Sequence, residues 1–285
     1  MKIYILGISG MLGSKLFLEF QNQKGFNVRG SARGKLSPIF KKHKDKIDAR
    51  IEAINFEKIN SILKLFKPDY IINCTGYIKQ KILRRSDKKD IIFINSIFPH
   101  QLYKISKLTK SRLIHFSTDC VFDGSKGNYK ECDTPNAKDI YGISKILGEV
   151  ESPGSLTIRT SVVGHELSSK NGLLDWFLSQ KNKCEGYSNA FFSGITTLEI
   201  FNFIYFYITN SLRIDGLIHL SSKKISKFDL LTKISKIYHK KIKIKKISSP
   251  KIDRSLNSRL IRKKISYKVP SWNAMINEMY LNNLK

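Results

Sequence analysis

Tyr141 and Lys145, in the run Tyr141-Gly-Ile-Ser-Lys145, are the residues whose types and spacing point most directly to chemistry. On a helix, positions i and i+4 share a face, so the ammonium sits near the phenol and favours its ionised form. A phenol tuned in this way can exchange a proton with a hydroxyl or carbonyl near neutral pH. Tyr-x-x-x-Lys also arises by chance as a surface pair, so its weight comes from its company. Ser117-Thr118 closes the preceding apolar run RLIHFSTD (112–119), at the carboxyl edge of a sheet where a cofactor would end.

The N-terminus supplies the loop for such a cofactor. Gly7-x-x-Gly10-x-x-Gly13 follows a β-rich run (2–8) and opens a helical pattern through Leu12, Leu16 and Phe20. Glycines there allow a tight turn, a close approach of the backbone to a pyrophosphate, and a helix N-terminus aimed at the phosphate. Three glycines alone are weak; their place between a strand and a helix makes dinucleotide binding the stronger reading. After strand two (26–32) an acid would bind the ribose of NAD. The chain instead reads Arg29-Gly30-Ser31-Ala32-Arg33-Gly34-Lys35, with no acid before Asp45. Ser31 and Arg33 suit a 2′-phosphate, so NADPH is favoured, with NADH as the alternative. Arg29 and Lys35 read equally well as solvated cations.

These groups need alternating elements to hold them. Hydrophobic periodicity predicts strands at 2–8, 26–32, 70–76, 112–119 and 155–164, and helices at 56–66, 90–110 and 141–151. Strand three is aligned with Ile51-Glu52-Ala53-Ile54-Asn55. The alternation implies right-handed crossovers, hence an α/β fold with a Rossmann-type doubly wound parallel sheet. Residues 1–164 are expected to form an NADP-binding domain, and 165–285 mainly a smaller C-terminal substrate-binding lobe interleaved with the sheet. Helices near 173–178 and 197–207, a strand at 216–222, a Lys-rich helix and strand, and a last helix from about 273 are expected in that second part.

Composition limits the alternatives. The 285 residues include 51 Lys+Arg and 23 Asp+Glu, a formal charge of +28, which first brings nucleic acid or an anionic membrane to mind. The 39 Ile, with abundant Lys and Asn, give a bland explanation, because all three residues have A/T-rich codons. Residues 1–150 carry 28 basic and 14 acidic side chains, half of the surplus, so the charge is spread rather than gathered into a binding arm. The densest stretch, 223–246, has ten Lys and one acid, Asp229. Its alternation in IKIKKI (242–247) reads as a half-buried strand with a solvated Lys face. Neither nucleic acid nor membrane is expected as a partner. Cys74, Cys120, Cys132 and Cys184 form no C-x-x-C pair, so no metal site is expected and a reduced, cytoplasmic protein is.

With these pieces in order, the chain resembles the extended short-chain dehydrogenase/reductases, and within them the dTDP-4-dehydrorhamnose reductase family. The resemblance runs over nearly the whole length: GISGMLGSKL (7–16), KPDYIINCTGY (67–77), Asn95 in FINSIFP, FSTDCVFDGSKGNYKECDTPNAKDIYGISKILGE (116–149), TIRTSVVG (157–164), NAFFSGITTLEI (189–200), GLIHLSS (216–222) and DRSLNSRL (253–260). It implies reduction of a 4-keto group on a 6-deoxy nucleotide sugar by NADPH, in deoxysugar or surface polysaccharide synthesis, by a homodimer. Thr118 would hydrogen-bond the keto oxygen, Tyr141 would donate the proton, and Lys145 would hold the nicotinamide ribose. Gly7, Ile8, Ser9, Gly10, Met11, Leu12 and Gly13 would line the pyrophosphate. Cys74, Thr75, Gly76, Tyr77 and the backbone from Thr160 would face the inner ribose and nicotinamide. Asp119, Cys120, Val121, Phe122, Asn189 and Arg254 would contact the sugar or its phosphates, and Asn95 would be a buried polar anchor. Cys120 stands where the family often has Tyr, and Asn189-Ala190 replaces an Asp-Gln pair, so the sugar remains open; a UDP-linked 4-keto-6-deoxy-N-acetylhexosamine is as reasonable as dTDP-4-dehydrorhamnose.

Two other functions share the fold. A 4,6-dehydratase carries Thr-Asp-Glu where this chain has Thr118-Asp119-Cys120, and an epimerase retains NAD, which sits poorly with the cations after strand two. A non-catalytic NADP-binding regulatory subunit, as in methionine adenosyltransferase, would be signalled by loss of Tyr or Lys, and both are present.

Overall fold

A computed structural model describes residues 1–34, 36–78, 87–167 and 169–283. The expected alternation is present. It runs β1 (Lys2–Leu6), α1 (Met11–Gln21), β2 (Asn27–Ala32), β3 (Ile47–Ala49), α2 (Phe56–Phe66), β4 (Tyr70–Asn73), α3 (Asp87–Ile92), α4 (Phe98–Thr109), β5 (Arg112–Thr118), α5 (Ile140–Leu147) and β6 (Ser155–Thr160). The second half holds β7 (Val162–Val163), α6 (Leu173–Ser179), β8 (Lys183–Tyr187), β9 (Ala190–Phe192), β10 (Ile195–Thr196), α7 (Thr197–Thr209), β11 (Gly216–His219), β12 (Ile225–Ser226), α8 (Lys227–Ile237), β13 (Lys243–Ile247), β14 (Ile252–Asp253), α9 (Arg259–Lys264) and α10 (Trp272–Asn283).

Seven strands form one sheet in the order β11-β6-β5-β4-β1-β2-β3, with β3, β2, β1, β4 and β5 successively parallel. The order reverses beside β1, the switch point at which open α/β sheets bind ligands. On one face Tyr4, Leu6, Ile71 and Leu113 pack with Ile59 and Leu63 of α2 and Phe98, Leu102 and Ile105 of α4 into a closed apolar core. Burial of these side chains, about 1.5–3 kcal/mol each, fixes the register that aligns the strand ends.

By compactness the chain divides into two units. The first holds Met1–Ser117, Lys138–Ile158 and Leu212–Leu217; the second holds Thr118–Ala137, Arg159–Ser211 and Ile218–Lys285. In the second unit, β9 lies between β12 and β14, and β13 pairs with β8. The Lys of β13 alternate with half-buried Ile244 and Ile247 much as the sequence pattern requires, Lys246 excepted, which is exposed beside exposed Lys245.

The strands expected at 2–8, 70–76, 155–164 and 216–222 end early, at Leu6, Asn73, Thr160 and His219, where the chain leaves the sheet for its loops, and three further elements differ from their sequence-based positions. Strand three is Ile47–Ala49 rather than 51–55, because residues Pro38–Lys46 wind into a compact 3-10 segment and deliver the chain early to the sheet edge. The helical stretch 90–110 is interrupted by a π turn at Phe93–Ile97, between α3 and α4. Helix α5 ends at Leu147 instead of 151. Gly148 lies so close to the π turn that a Cβ there would stand 1.8 Å from the carbonyl oxygen of Asn95.

Candidate active site

The glycine loop makes the turn its spacing requires. Gly7 has φ +80, and a Cβ on Gly13 would lie 2.3 Å from the Gly7 carbonyl oxygen, so one position needs the left-handed region and the other needs a hydrogen in place of a side chain. The amides of Gly7 and Ile8 donate to Ser31 O at 3.1 and 3.0 Å, locking the loop to the end of β2. Helix α1 begins at Met11 with Gly10 as N-cap, no side-chain cap and no acid in its first turn. Its N–H groups are left to water or to an anion.

An open cleft lies over this loop in the first unit. It brings together Gly7, Ser9, Gly10, Ser31, Arg33, Cys74, Thr75, Gly76 and Tyr77, and adds Leu6, Ile51, Ala53, Ile59 and Ile94. Those five apolar side chains carry no chemical signature that sequence reading could weigh. Met11, Leu12 and Gly13 form the adjoining first turn of α1. Arg33 is exposed and makes no hydrogen bond or ion pair among the described residues. Lys35 lies outside the described residues. Arg29 is committed elsewhere: its Nη2 bonds Asp48 Oδ1 at 2.9 Å, and Tyr4 Oη donates to Asp48 Oδ2 at 2.8 Å. The acid of strand three is therefore Asp48, engaged inside the fold.

Tyr141 and Lys145 lie on α5, capped by the Asp139 side chain, which accepts from Gly142 N at 2.9 Å. Lys145 Nζ is buried and donates to Phe116 O at 2.8 Å, fastening α5 to the end of β5. Burial pulls this ammonium down to about 8, against an opposing pull from Glu149. Glu149 also accepts from Ser117 Oγ at 2.6 Å. Asn95, in the π turn, is a hub: its Oδ1 accepts from Tyr77 N at 2.8 Å, and its Nδ2 donates to Tyr77 O and Ser144 Oγ, both at 3.0 Å. Ser96 Oγ donates to Ser144 O at 2.9 Å. A wall of the cleft, Tyr77, is thus tied to the helix that carries Tyr141 and Lys145. Sequence reading placed Asn95 as an anchor but not what it anchors.

Beneath the cleft, Asn73 Oδ1 accepts from Thr75 N at 3.1 Å and from the Thr75 hydroxyl. Its amide therefore donates to His115 Nδ1 at 3.0 Å. Full burial, with Lys145 and His100 nearby, keeps His115 neutral by lowering its pKa well below the usual range. Burial likewise pushes the Cys74 thiol up, away from thiolate chemistry.

In the second unit, Thr118 Oγ1 accepts from Cys120 N at 3.1 Å and reaches Asp119 Oδ1 at 3.3 Å. Burial raises the Asp119 pKa, opposed by Lys227 and Arg254. The Cys120 thiol is pushed up to about 12, by burial first and Asp119 second. Arg254 Nε donates to Phe122 O at 2.9 Å, with Nη1 3.9 Å from Cys120 Sγ. Val121 O accepts from the amides of Asn136 and Ala137. Phe122 is wholly buried and stacks on Tyr129 at 4.0 Å. Thr160 is buried at the end of β6. The Asn189 side chain bonds Ser248 O at 3.0 Å, joining two loops. Lys227, which sequence reading left among solvated lysines, lies with its ammonium 5.0 Å from the centre of the Phe192 ring, and burial lowers its pKa against the opposing charge of Asp119. Among the described residues no group of His, Cys, Asp and Glu is placed to hold a metal ion, and no helix is long and apolar enough to cross a membrane.

A sheet switching order beside a glycine turn, followed by a Tyr-x-x-x-Lys helix, defines a Rossmann-type α/β protein. The family described as RmlD substrate binding domain matches residues 1–284, and the chain belongs to it. Its fold is that of a dTDP-4-dehydrorhamnose reductase from Bacillus anthracis solved with NADP, with TM-score 0.81, 20% identity, and 99% of each chain covered. Methionine adenosyltransferase 2 subunit beta of Danio rerio is 26% identical over 171 residues, 58% of this chain and 49% of that protein. The dTDP-4-dehydrorhamnose reductase of Aggregatibacter actinomycetemcomitans is 35% identical over 120 residues, 40% of each. The chain spans about half the length of the curated relatives it matches, or less.

Proposed function

We propose that the protein is an NADPH-dependent reductase of a 4-keto-6-deoxy nucleotide sugar. The observation that carries this reading is Lys145: a buried ammonium, one helical turn from Tyr141, fastened to the end of β5 in the same compact unit as the glycine cleft. A lysine at a chance surface pair would be solvated. The cleft suits a dinucleotide on three counts: Gly7 and Gly13 exclude side chains, the N-terminus of α1 is uncapped, and Arg33 is an exposed cation beside Ser31. Bound there, NADPH supplies the hydride. Tyr141 gives its phenolic proton to the carbonyl oxygen, and the Lys145 ammonium stabilises the phenolate that results. In this reading the Thr118 hydroxyl, which accepts from Cys120 N and donates only over a long 3.3 Å to Asp119, is assigned to hydrogen-bond the keto oxygen. Met11 and Leu12 set the pyrophosphate at the helix start, and Thr160 sits at the end of the next strand.

The relative named as a methionine adenosyltransferase subunit supports a second reading, a non-catalytic NADP-binding subunit. It requires neither Tyr141 nor Lys145 to do chemistry. The epimerase reading requires a retained oxidised cofactor. Purified protein separates these: the reductase releases its nucleotide on dialysis and consumes added NADPH with a keto sugar nucleotide, whereas tightly held NAD with no consumption of free NADPH overturns it.

A further inference from the structure

Thr75 follows β4 on the wall of the cleft and sits against the glycine turn: a Cβ on Gly7 would lie 3.0 Å from Thr75 N. Behind it a buried polar chain runs into the sheet. Thr75 N can only donate, and it reaches the Asn73 side chain at 3.1 Å, so the atom it meets is the carboxamide oxygen Oδ1. The same oxygen takes the Thr75 hydroxyl proton. The other end of the carboxamide is then Nδ2, a donor, and His115 Nδ1, 3.0 Å away, must accept from it. Full burial holds the ring neutral, so its proton is on Nε2. That N–H is buried and has no hydrogen-bond partner among the described residues, an arrangement that costs stability. Among the described residues, the ring's one hydrogen bond is the one that orients Asn73. With its proton committed to Asn73, the Thr75 hydroxyl faces the cleft with lone pairs only. It can accept a hydrogen bond there and has none to give. On the other side of β1 the cleft has the opposite character, with the exposed cation Arg33 just after β2.

We propose that Thr75 selects the unphosphorylated ribose of the dinucleotide by accepting a hydrogen bond from one of its hydroxyls, and that Asn73 and His115 are positioning residues that keep Thr75 an acceptor. This rests on the reading of the cleft as the NADPH site. A phosphate oxygen, itself only an acceptor, finds no partner at Thr75, so the phosphorylated ribose is left to Arg33 and the direction of binding is set. Thr75 touches the turn that would hold the pyrophosphate, and the group directly next to a pyrophosphate is a ribose; the nicotinamide carboxamide lies one ring further on. Without an acceptor at position 115, the Asn73 carboxamide loses the bond that fixes its orientation, and the Thr75 hydroxyl is free to turn its proton into the cleft.

The test uses the full chain and three probes that share the 2′-phosphate: NADPH; 2′-phospho-ADP-ribose, which keeps the second ribose without nicotinamide; and adenosine 2′,5′-bisphosphate, which lacks both. Binding is read by calorimetry and, for NADPH, by fluorescence. Thr75→Val keeps the shape and the backbone bond to Asn73. It is expected to weaken NADPH and 2′-phospho-ADP-ribose by about three- to tenfold and to leave adenosine 2′,5′-bisphosphate as in the wild type. Thr75→Ser should restore both. His115→Leu should reproduce the Thr75→Val pattern, and His115→Gln, whose Oε1 can accept from Asn73, should recover most of it. Melting curves show whether each variant is folded, and Thr75→Val, in the cleft wall, decides the matter if a buried variant is not. Wild-type NADPH affinity in Thr75→Val overturns the contact while leaving the reductase reading standing, and wild-type affinity in folded His115→Leu overturns the positioning role. A loss shared by all three probes overturns the assignment to the second ribose, and a loss confined to NADPH overturns the assignment to a hydroxyl. A wild type that binds none of the probes overturns the cofactor reading as well.

Discussion

Burial decides what Lys145 can do. Its pKa falls from 10.5 to about 8, so the charge that supports Tyr141 disappears just above neutrality, and turnover is expected to fall as pH rises through about 8. Stability moves the other way. Between about 8 and 10.5 the unfolded chain holds a proton that the folded one has lost, so this group adds stability with rising pH. A pH–rate profile and melting curves in the same buffers check both; a rate flat to pH 10 would remove Lys145 from the proposed step. Tyr141→Phe deletes the proposed proton donor and little else, and should cut turnover by about 10²–10⁴-fold with NADPH binding nearly intact. The places of Tyr141, Lys145 and the glycines are legible in the sequence because they depend on spacing along one helix or turn. Asp48 and Lys227 are not, because what distinguishes them is which distant side chain they meet: Tyr4 and Arg29 for one, Phe192 and Asp119 for the other.

At the level of elements, the π turn at Phe93–Ile97 joins the cleft to the helix that carries Tyr141 and Lys145. Apolar periodicity continues through it, so the sequence reads as one helix and the extra residue in the turn leaves no trace. Gly148 lets α5 sit against that turn, and Asn95 spans from Tyr77 to Ser144. Asn95→Leu removes three hydrogen bonds at once and strands the amide of Tyr77, a loss expected to cost about 2–4 kcal/mol. Thermal melting should register it, and NADPH affinity should fall with it because Tyr77 lines the cleft. An unchanged melting temperature would mean that Tyr77 and Ser144 find other partners. Strand three was misplaced for a related reason: nothing in the spacing of residues 38–46 announces a compact 3-10 segment, and the four-residue shift of the strand's start follows from it.

For the whole molecule, the +28 surplus separates into parts with different consequences. Most of it is exposed Lys, as on β13, and would attract any polyanion weakly at low salt. A few cations have places: Arg29 paired to Asp48, Arg33 at the cleft, Arg254 and Lys227 around Asp119. The doubly wound parallel sheet was readable from alternating strands and helices, whereas its strand order, the return of residues 212–217 to the first unit and of 118–137 to the second depend on contacts that no local pattern encodes. The central claim is that this molecule reduces a keto sugar nucleotide. NADPH oxidation measured against 4-keto-6-deoxy sugars linked to dTDP, UDP and GDP, with Tyr141→Phe in parallel, tests it most directly. Oxidation with at least one sugar nucleotide, abolished in Tyr141→Phe, is the predicted result; NADPH that binds but is consumed with none of them would contradict it.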